Sequence, residues 1–296
     1  MELTSSIFHR YWTESELKSS PVSKPVPKSI VFVHGLFGSI ENLGMIIRLL
    51  KDEFSIYAID LPNHGRSQHT IDTSLESMAT AMLNWMDAVG LDCVDLVGHS
   101  LGGKVCMELA LRYPDRVNRL IVADIAPVAY PRRHDDVFEA YRAVDLDKIK
   151  SRADADALMS PYVALASTRS FLLKNLEKNT NNTSANPTDT LKDKIGNMDV
   201  PKSAWRWRVN FDALEAGYNN IISANTTSST PFTKPVLFIK GENSDYIMPE
   251  YQESILALFP NAGVKVISNT EHWLHAQKPE IFAGLVRRFL SQDRIG

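Results

Sequence analysis

Gly98-His99-Ser100-Leu101-Gly102 sets a serine between two glycines, after a short apolar run and ahead of a helical pattern. That pattern suits a nucleophile. A serine on a strained strand-to-helix turn projects its Oγ away from the backbone, and glycines beside it leave room for the flanking elements. The Leu101 N–H belongs to the first turn of the following helix, where backbone donors have no intrahelical partner. It is therefore placed to hold an oxyanion formed on the serine-bound carbon.

A serine hydroxyl attacks poorly unless a base takes its proton. The base is expected on a loop after a late strand, where Asn269-Thr270-Glu271-His272-Trp273-Leu274-His275 follows an apolar run at 264–267. His272 is the candidate. His275 competes with it, but three residues on it should begin the next turn and face elsewhere. The acid that orients the base has two candidates, Asp124 and Asp245, both at strand ends between the serine and the histidine. The commonest arrangement of such triads uses the later position and favours Asp245. The unbroken apolar run Ile121-Val122-Ala123 before Asp124 argues the other way, because a buried carboxylate needs a partner. A second oxyanion donor should come from the turn after an early strand, at His34-Gly35-Leu36, which makes the Leu36 N–H the candidate and leaves His34 to stabilise the turn. This chemistry requires neither metal nor cofactor.

The elements that must position these residues follow a regular rhythm. Apolar runs at 30–33, 55–60, 94–97, 117–123, 236–239 and 264–267 read as strands. Helical patterns at 42–51, 75–89, 101–113, 249–259 and 279–290 lie between or after them, and 3–12 reads as an edge strand. Strands alternating with helices imply an α/β fold with a mostly parallel sheet and helices on both faces. Residues 128–230 break the rhythm, so the core is expected at 1–127 and 231–296 with 128–230 as a helical cap insertion. Within it, 137–150 and 153–176 look helical. The polar run at 178–203 is too long for an ordinary connection and reads as a flexible surface excursion. The aromatic and basic stretch 205–211 reads as docking the insertion on the core, with direct substrate contact as the alternative.

Composition excludes other classes. The chain has 296 residues, 44% of them hydrophobic, with a net charge of -3 and no basic run, which argues against nucleic acid as a partner. No apolar run reaches the roughly 18 residues of a membrane span. Residues 1–28 carry Glu2, Glu14 and Glu16 and no apolar core, unlike a secretory signal. Cys93 and Cys106 read as reduced core thiols, and the triplets at Asn181, Asn182 and Asn225 as polar loop residues. The expected location is the cytoplasm, or the mitochondrion if the source is eukaryotic.

The chain resembles the α/β-hydrolase superfamily over nearly its whole length. The stretches that carry the likeness include His34-Gly35-Leu36-Phe37-Gly38-Ser39, Asn63-His64-Gly65, Gly98-His99-Ser100-Leu101-Gly102-Gly103-Lys104 and Asp124-Ile125-Ala126-Pro127-Val128. Phe171-Leu172-Leu173-Lys174-Asn175-Leu176, Arg208-Val209-Asn210-Phe211-Asp212 and His272-Trp273-Leu274-His275-Ala276 add to it. Together they are similar to the branch holding the bacterial esterase YbfF, α/β-hydrolase domain-containing protein 11 and the yeast ethanol acetyltransferases. The resemblance implies a serine hydrolase cleaving short- to medium-chain carboxylic esters or acyl thioesters of the acyl-CoA type, with a small-molecule substrate, under a helical cap. It also implies Asp124 as the acid, with Asp245 as the alternative. The polar excursion after Leu176 departs from the bacterial members. Two other readings remain open. One is an acyltransferase in which a small alcohol such as ethanol intercepts the same acyl-enzyme. The other is a non-catalytic hydrolase fold that binds a ligand. A dehalogenase is disfavoured, because that chemistry needs a carboxylate where Ser100 stands.

Overall fold

The computed structural model describes residues 6–13, 29–179, 203–226 and 230–291. Most of the expected polar excursion, 180–202, lies outside the described residues, as do Asn181 and Asn182. The chain divides into two compact units, Met1–Pro131 with Asp212–Gly296, and Arg132–Phe211.

The first part of the larger unit runs β1 (His9–Trp12), β2 (Ile30–Val33), α1 (Gly44–Leu50), β3 (Ile56–Ile59), α2 (Leu75–Ala88), β4 (Val94–His99), α3 (Leu101–Arg112) and β5 (Val117–Ala123). The smaller unit holds α4 (Asp135–Ala143), α5 (Arg152–Met159), α6 (Ala166–Leu172), β6 (Leu176–Lys178) and β7 (Trp205–Trp207). The chain then returns through α7 (Phe211–Ala216), α8 (Tyr218–Ile221), β8 (Val236–Gly241), α9 (Gln252–Leu258), β9 (Ala262–Ile267), α10 (Leu274–Gln277) and α11 (Pro279–Ser291).

Among the described residues, seven strands form one sheet in the order β1-β3-β2-β4-β5-β8-β9. All pairs are parallel except β1 with β3. The carboxyl ends of the six parallel strands therefore share one edge, and the residues that follow them converge there. Every residue of β2 and β4 is buried, which is why β2 is apolar without alternation and β4 is apolar apart from Asp95 and His99. On one face, Ile46, Ile47 and Leu50 of α1 and Phe282, Val286 and Leu290 of α11 pack on Ile30, Phe32, Ile121 and Ile239. Each such side chain withdrawn from water contributes about 1.5–3 kcal/mol. Val122, which alternates with Ile121, lies against Gly103 of α3, so α3 covers the opposite face.

Several expectations need correction. β9 is apolar but half open to solvent, with Val264 50% and Val266 54% exposed, because it is the sheet's edge. The helix expected at 137–150 ends at Ala143, where Val144 turns extended. A new helix, α5, begins at Ser151, whose hydroxyl accepts the Asp154 N–H in a capping box. The helix expected at 153–176 stops before Pro161, which has no N–H to continue the helical bonding and whose ring would clash with the preceding turn, and its end is the strand β6. β6 pairs antiparallel with β7, Leu176 opposite Trp207. The aromatic stretch at 205–211 thus builds the smaller unit itself: Trp207 and Phe211 pack on Tyr141 at centroid distances of 4.7 and 4.6 Å. Residues 128–131 and 212–230 group with the sheet. The Lys104 Nζ of α3 donates to the carbonyls of Val128 (2.8 Å) and Ser223 (2.6 Å) there, and the Asn225 amide donates to the Lys104 carbonyl. No described helix is long and apolar enough to cross a membrane.

Candidate active site

Ser100 ends β4 and begins α3 with φ 52° and ψ -120°, a conformation that non-glycine residues rarely adopt. The glycines around it make that turn possible. A Cβ on Gly98 would stand 2.4 Å from the Gly102 carbonyl oxygen, and one on Gly102 would stand 2.4 Å from that of Val33. Both contacts are with backbone, which cannot swing aside. The α3 helix thereby reaches close to the end of β2, and the serine is lifted above the sheet edge.

Backbone bonds that extend the ladder fix the serine and the aspartate. The Ser100 N–H donates to the Ala123 carbonyl (3.0 Å), and the Asp124 N–H to that of Ile239 (2.8 Å). Asp124 also has positive φ, 53°, and is fully buried. Its Oδ1 accepts the Gly241 N–H at 2.9 Å, and its Oδ2 accepts the Ser244 hydroxyl. The same Oδ2 accepts the His272 Nδ1–H at 2.9 Å. His272 Nε2 in turn accepts the Ser100 hydroxyl at 2.9 Å. A continuous chain of hydrogen bonds thus runs from carboxylate to imidazole to hydroxyl. His272 Nδ1 is bonded to Asp124 and not to Asp245, which is exposed on the loop after β8.

Two further contacts hold His272, one on its ring and one on its backbone. The Tyr246 ring stacks on the imidazole, with centroids 3.9 Å apart and planes at 22°. Tyr246 is fixed by its carbonyl, which accepts the Tyr130 hydroxyl at 2.5 Å; that hydroxyl accepts the Ala126 N–H at 2.8 Å. On the other side, the Nε2–H of His99 donates to the carbonyl of His272 at 2.9 Å. His275 lies on α10, buried against the His99 ring at 4.3 Å, and has no bond to Ser100. Burial lowers the His275 pKa to about 4 and that of His99 well below its usual value, so both are neutral beside His272 at neutral pH.

The turn after β2 lies against the serine: a Cβ on Gly35 would stand 3.2 Å from that of Ser100. In this turn the Gly38 N–H is taken by the Gly35 carbonyl and the Phe37 N–H by His64 Nε2. The amides of Leu36 and Leu101 have no hydrogen-bond partner among the described residues. Four residues of the site went unassigned in the sequence reading: His99, Ser244, Tyr246 and His64. Ser244 and Tyr246 flank Asp245 in a stretch that looks like a wet turn, and only the fold shows that Ser244 is turned inward.

Residues 28–279 match the family described as the alpha/beta hydrolase fold. The chain belongs to that family. It is 34% identical over 263 residues to "Esterase YbfF" of Escherichia coli, covering 88% of this chain and 92% of that protein. It is 35% identical over 271 residues to the mouse "sn-1-specific diacylglycerol lipase ABHD11", covering 89% and 81%. Among solved structures, "Marine microorganism esterase" superposes with a TM-score of 0.82 at 35% identity, covering 96% of this chain and 98% of that one.

Proposed function

We propose that this chain is a serine esterase that cleaves carboxylic esters, acyl thioesters included, through an acyl-serine intermediate. The observation that carries the reading is the bonded series Ser100–His272–Asp124, with both links at 2.9 Å and the serine on a strained turn. The names of the relatives, an esterase and a diacylglycerol lipase, support an ester as substrate.

In this reading Ser100 Oγ attacks the acyl carbon as its proton passes to His272 Nε2. Asp124 keeps the imidazole in its Nδ1–H tautomer and stabilises the imidazolium. The tetrahedral oxyanion is held by the Leu36 and Leu101 amides, which have no other partner among the described residues. Collapse expels the alcohol or thiol, which takes the proton from His272. Water then attacks the acyl-serine with His272 again as base, releasing the acid and free Ser100. Ethanol in place of water would give an ester exchange through the same intermediate.

The test is a panel of acyl esters and acyl-CoA thioesters of graded chain length, assayed with and without added ethanol. Hydrolysis abolished by Ser100→Ala is the expected result. Turnover that survives Ser100→Ala overturns the reading, and an ethyl ester as the main product would make the chain an acyltransferase.

A further inference from the structure

Two histidines outside the Ser100–His272–Asp124 series tie together the turns that follow β2 and β3. His34 and His64 are fully buried, with ring centroids 5.2 Å apart. Their bonding is reciprocal. His34 belongs to the turn after β2, and its Nε2 accepts the N–H of Leu61, in the loop after β3, at 3.1 Å. His64 belongs to that second loop, and its Nε2 accepts the N–H of Phe37, in the first turn, at 3.1 Å. An Nε2 that accepts an amide carries no proton, so each ring holds its proton on Nδ1. Both Nδ1 atoms have a matching acceptor within their own loop: the Gly35 carbonyl at 2.8 Å for His34, and the Pro62 carbonyl at 2.9 Å for His64. Burial lowers the His34 pKa to about 4 and the His64 pKa to about 3, so both rings are neutral at neutral pH.

The bond from His64 falls at a strained place. Phe37 has φ 59°, the left-handed region that a bulky residue avoids. Left to itself, the turn would relax, and the direction of the Leu36 amide would change with it. Asp60 braces the same region from below, its carboxylate accepting the N–H groups of Ile40 (2.7 Å) and Arg66 (2.9 Å).

We infer that His34 and His64 are positioning residues for oxyanion stabilisation: as two neutral imidazoles, each accepting a backbone amide of the other's loop, they hold the 34–38 turn with Phe37 left-handed and the Leu36 amide directed at the reacting carbonyl. This rests on the acyl-serine reading above. Neither histidine touches substrate or exchanges a proton during turnover; both act through the Leu36 backbone.

The test pairs His64→Leu, which removes the acceptor, with His64→Gln, whose side-chain oxygen can accept the same amide. His64→Leu should lower kcat by about 10²- to 10³-fold, the loss seen when one oxyanion donor is misplaced. KM should stay within about threefold, since ground-state binding does not use that donor. Affinity for a trifluoromethyl ketone, which forms the tetrahedral adduct, should fall in step with kcat, and His64→Gln should recover most of both. A loss that merely reflected poor folding would lower the titratable fraction of active serine and leave kcat per active site unchanged; that result overturns the inference. If His64→Leu does not fold, ¹⁵N spectra of the wild-type protein decide. Protons on Nδ1 of both rings and slow exchange of the Phe37 amide support the lock; a proton on Nε2 of either ring overturns it. Turnover that survives Ser100→Ala would instead bring down the functional reading, a separate outcome.

Discussion

Replacing Asp124 with asparagine changes one atom of a side chain that is fully buried, yet the site should lose nearly all of its catalytic power. The carboxylate accepts three hydrogen bonds, from the Gly241 N–H on Oδ1 and from Ser244 and His272 on Oδ2. An asparagine keeps one acceptor oxygen and presents two donors in place of the other. With its oxygen toward Gly241, its NH₂ group faces His272 Nδ1, which must then give up its proton. The imidazole proton moves to Nε2, and Nε2 can no longer accept the proton of Ser100. That wrong tautomer costs roughly 10⁴-fold in kcat, or about 5 kcal/mol of transition-state stabilisation. With the amide flipped, its NH₂ group meets the Gly241 N–H, leaving buried donors unpaired at a cost of about 1–3 kcal/mol in stability. The first orientation is therefore favoured, and folding should be little affected. Steady-state kinetics on a p-nitrophenyl ester, with thermal unfolding of the same samples, separates the two effects. Asp245→Asn, at an exposed position, should retain kcat within about threefold. A loss below tenfold in Asp124→Asn, or a large loss confined to Asp245→Asn, would refute the reasoning.

Three further outcomes follow from distances and burial. Gly98→Ala should lower Tm by several degrees, because its Cβ would be forced to within 2.4 Å of the Gly102 carbonyl oxygen; overpacking of this kind costs about 1–3 kcal/mol or more. An unchanged melting curve would show that the turn yields. Tyr246→Leu should reduce kcat by roughly 2- to 30-fold, the equivalent of about 0.5–2 kcal/mol of attraction between the ring face and the imidazolium, and Tyr246→Phe should retain it; equal losses in both variants would point to the hydroxyl instead. Acid should destabilise the fold below about pH 6.5. Burial keeps His34, His64 and His275 neutral down to about 4, 3 and 4, whereas the unfolded chain protonates its histidines near 6.5. The unfolded state therefore binds more protons in that window, and stability falls as pH drops through it, by about 1.4 kcal/mol per pH unit for each histidine. Above about pH 7.5 these groups should have no effect. Urea midpoints at pH 8, 6 and 5 check the sign, and a midpoint that held steady between pH 6 and 5 would contradict it.

The parts of the fold legible in the sequence are those where local pattern and tertiary environment agree. β2 is apolar throughout, and β4 apart from Asp95 and His99, because both sheet faces are covered, and the glycines beside Ser100 are demanded by backbone contacts that the motif encodes directly. β9 shows the limit: its apolar residues look the same as those of a buried strand, and only the strand order shows that it is an edge. The break between α4 and α5 has a local signal in Ser151 with Asp154, and the end of α5 has one in Pro161; the hydrophobic period outweighed both. The pairing of β6 with β7 joins segments separated by 180–202 and has no local signature. In the site, Asp124 and Asp245 both follow strands, and the choice depends on which carboxylate meets His272 Nδ1. The inward turn of Ser244, the stacking of Tyr246 and the bond from His99 to the His272 carbonyl are likewise facts of three-dimensional proximity.

The central claim, that Ser100 is a nucleophile activated by His272, is tested most directly by covalent capture. A fluorophosphonate incubated with the wild-type protein should add one phosphonyl group per chain, located by peptide mass spectrometry on the segment containing Ser100. Labelling should abolish ester hydrolysis, be slowed by excess ester, and be absent in Ser100→Ala. Modification at another residue, or full ester turnover in a completely labelled sample, would contradict the account.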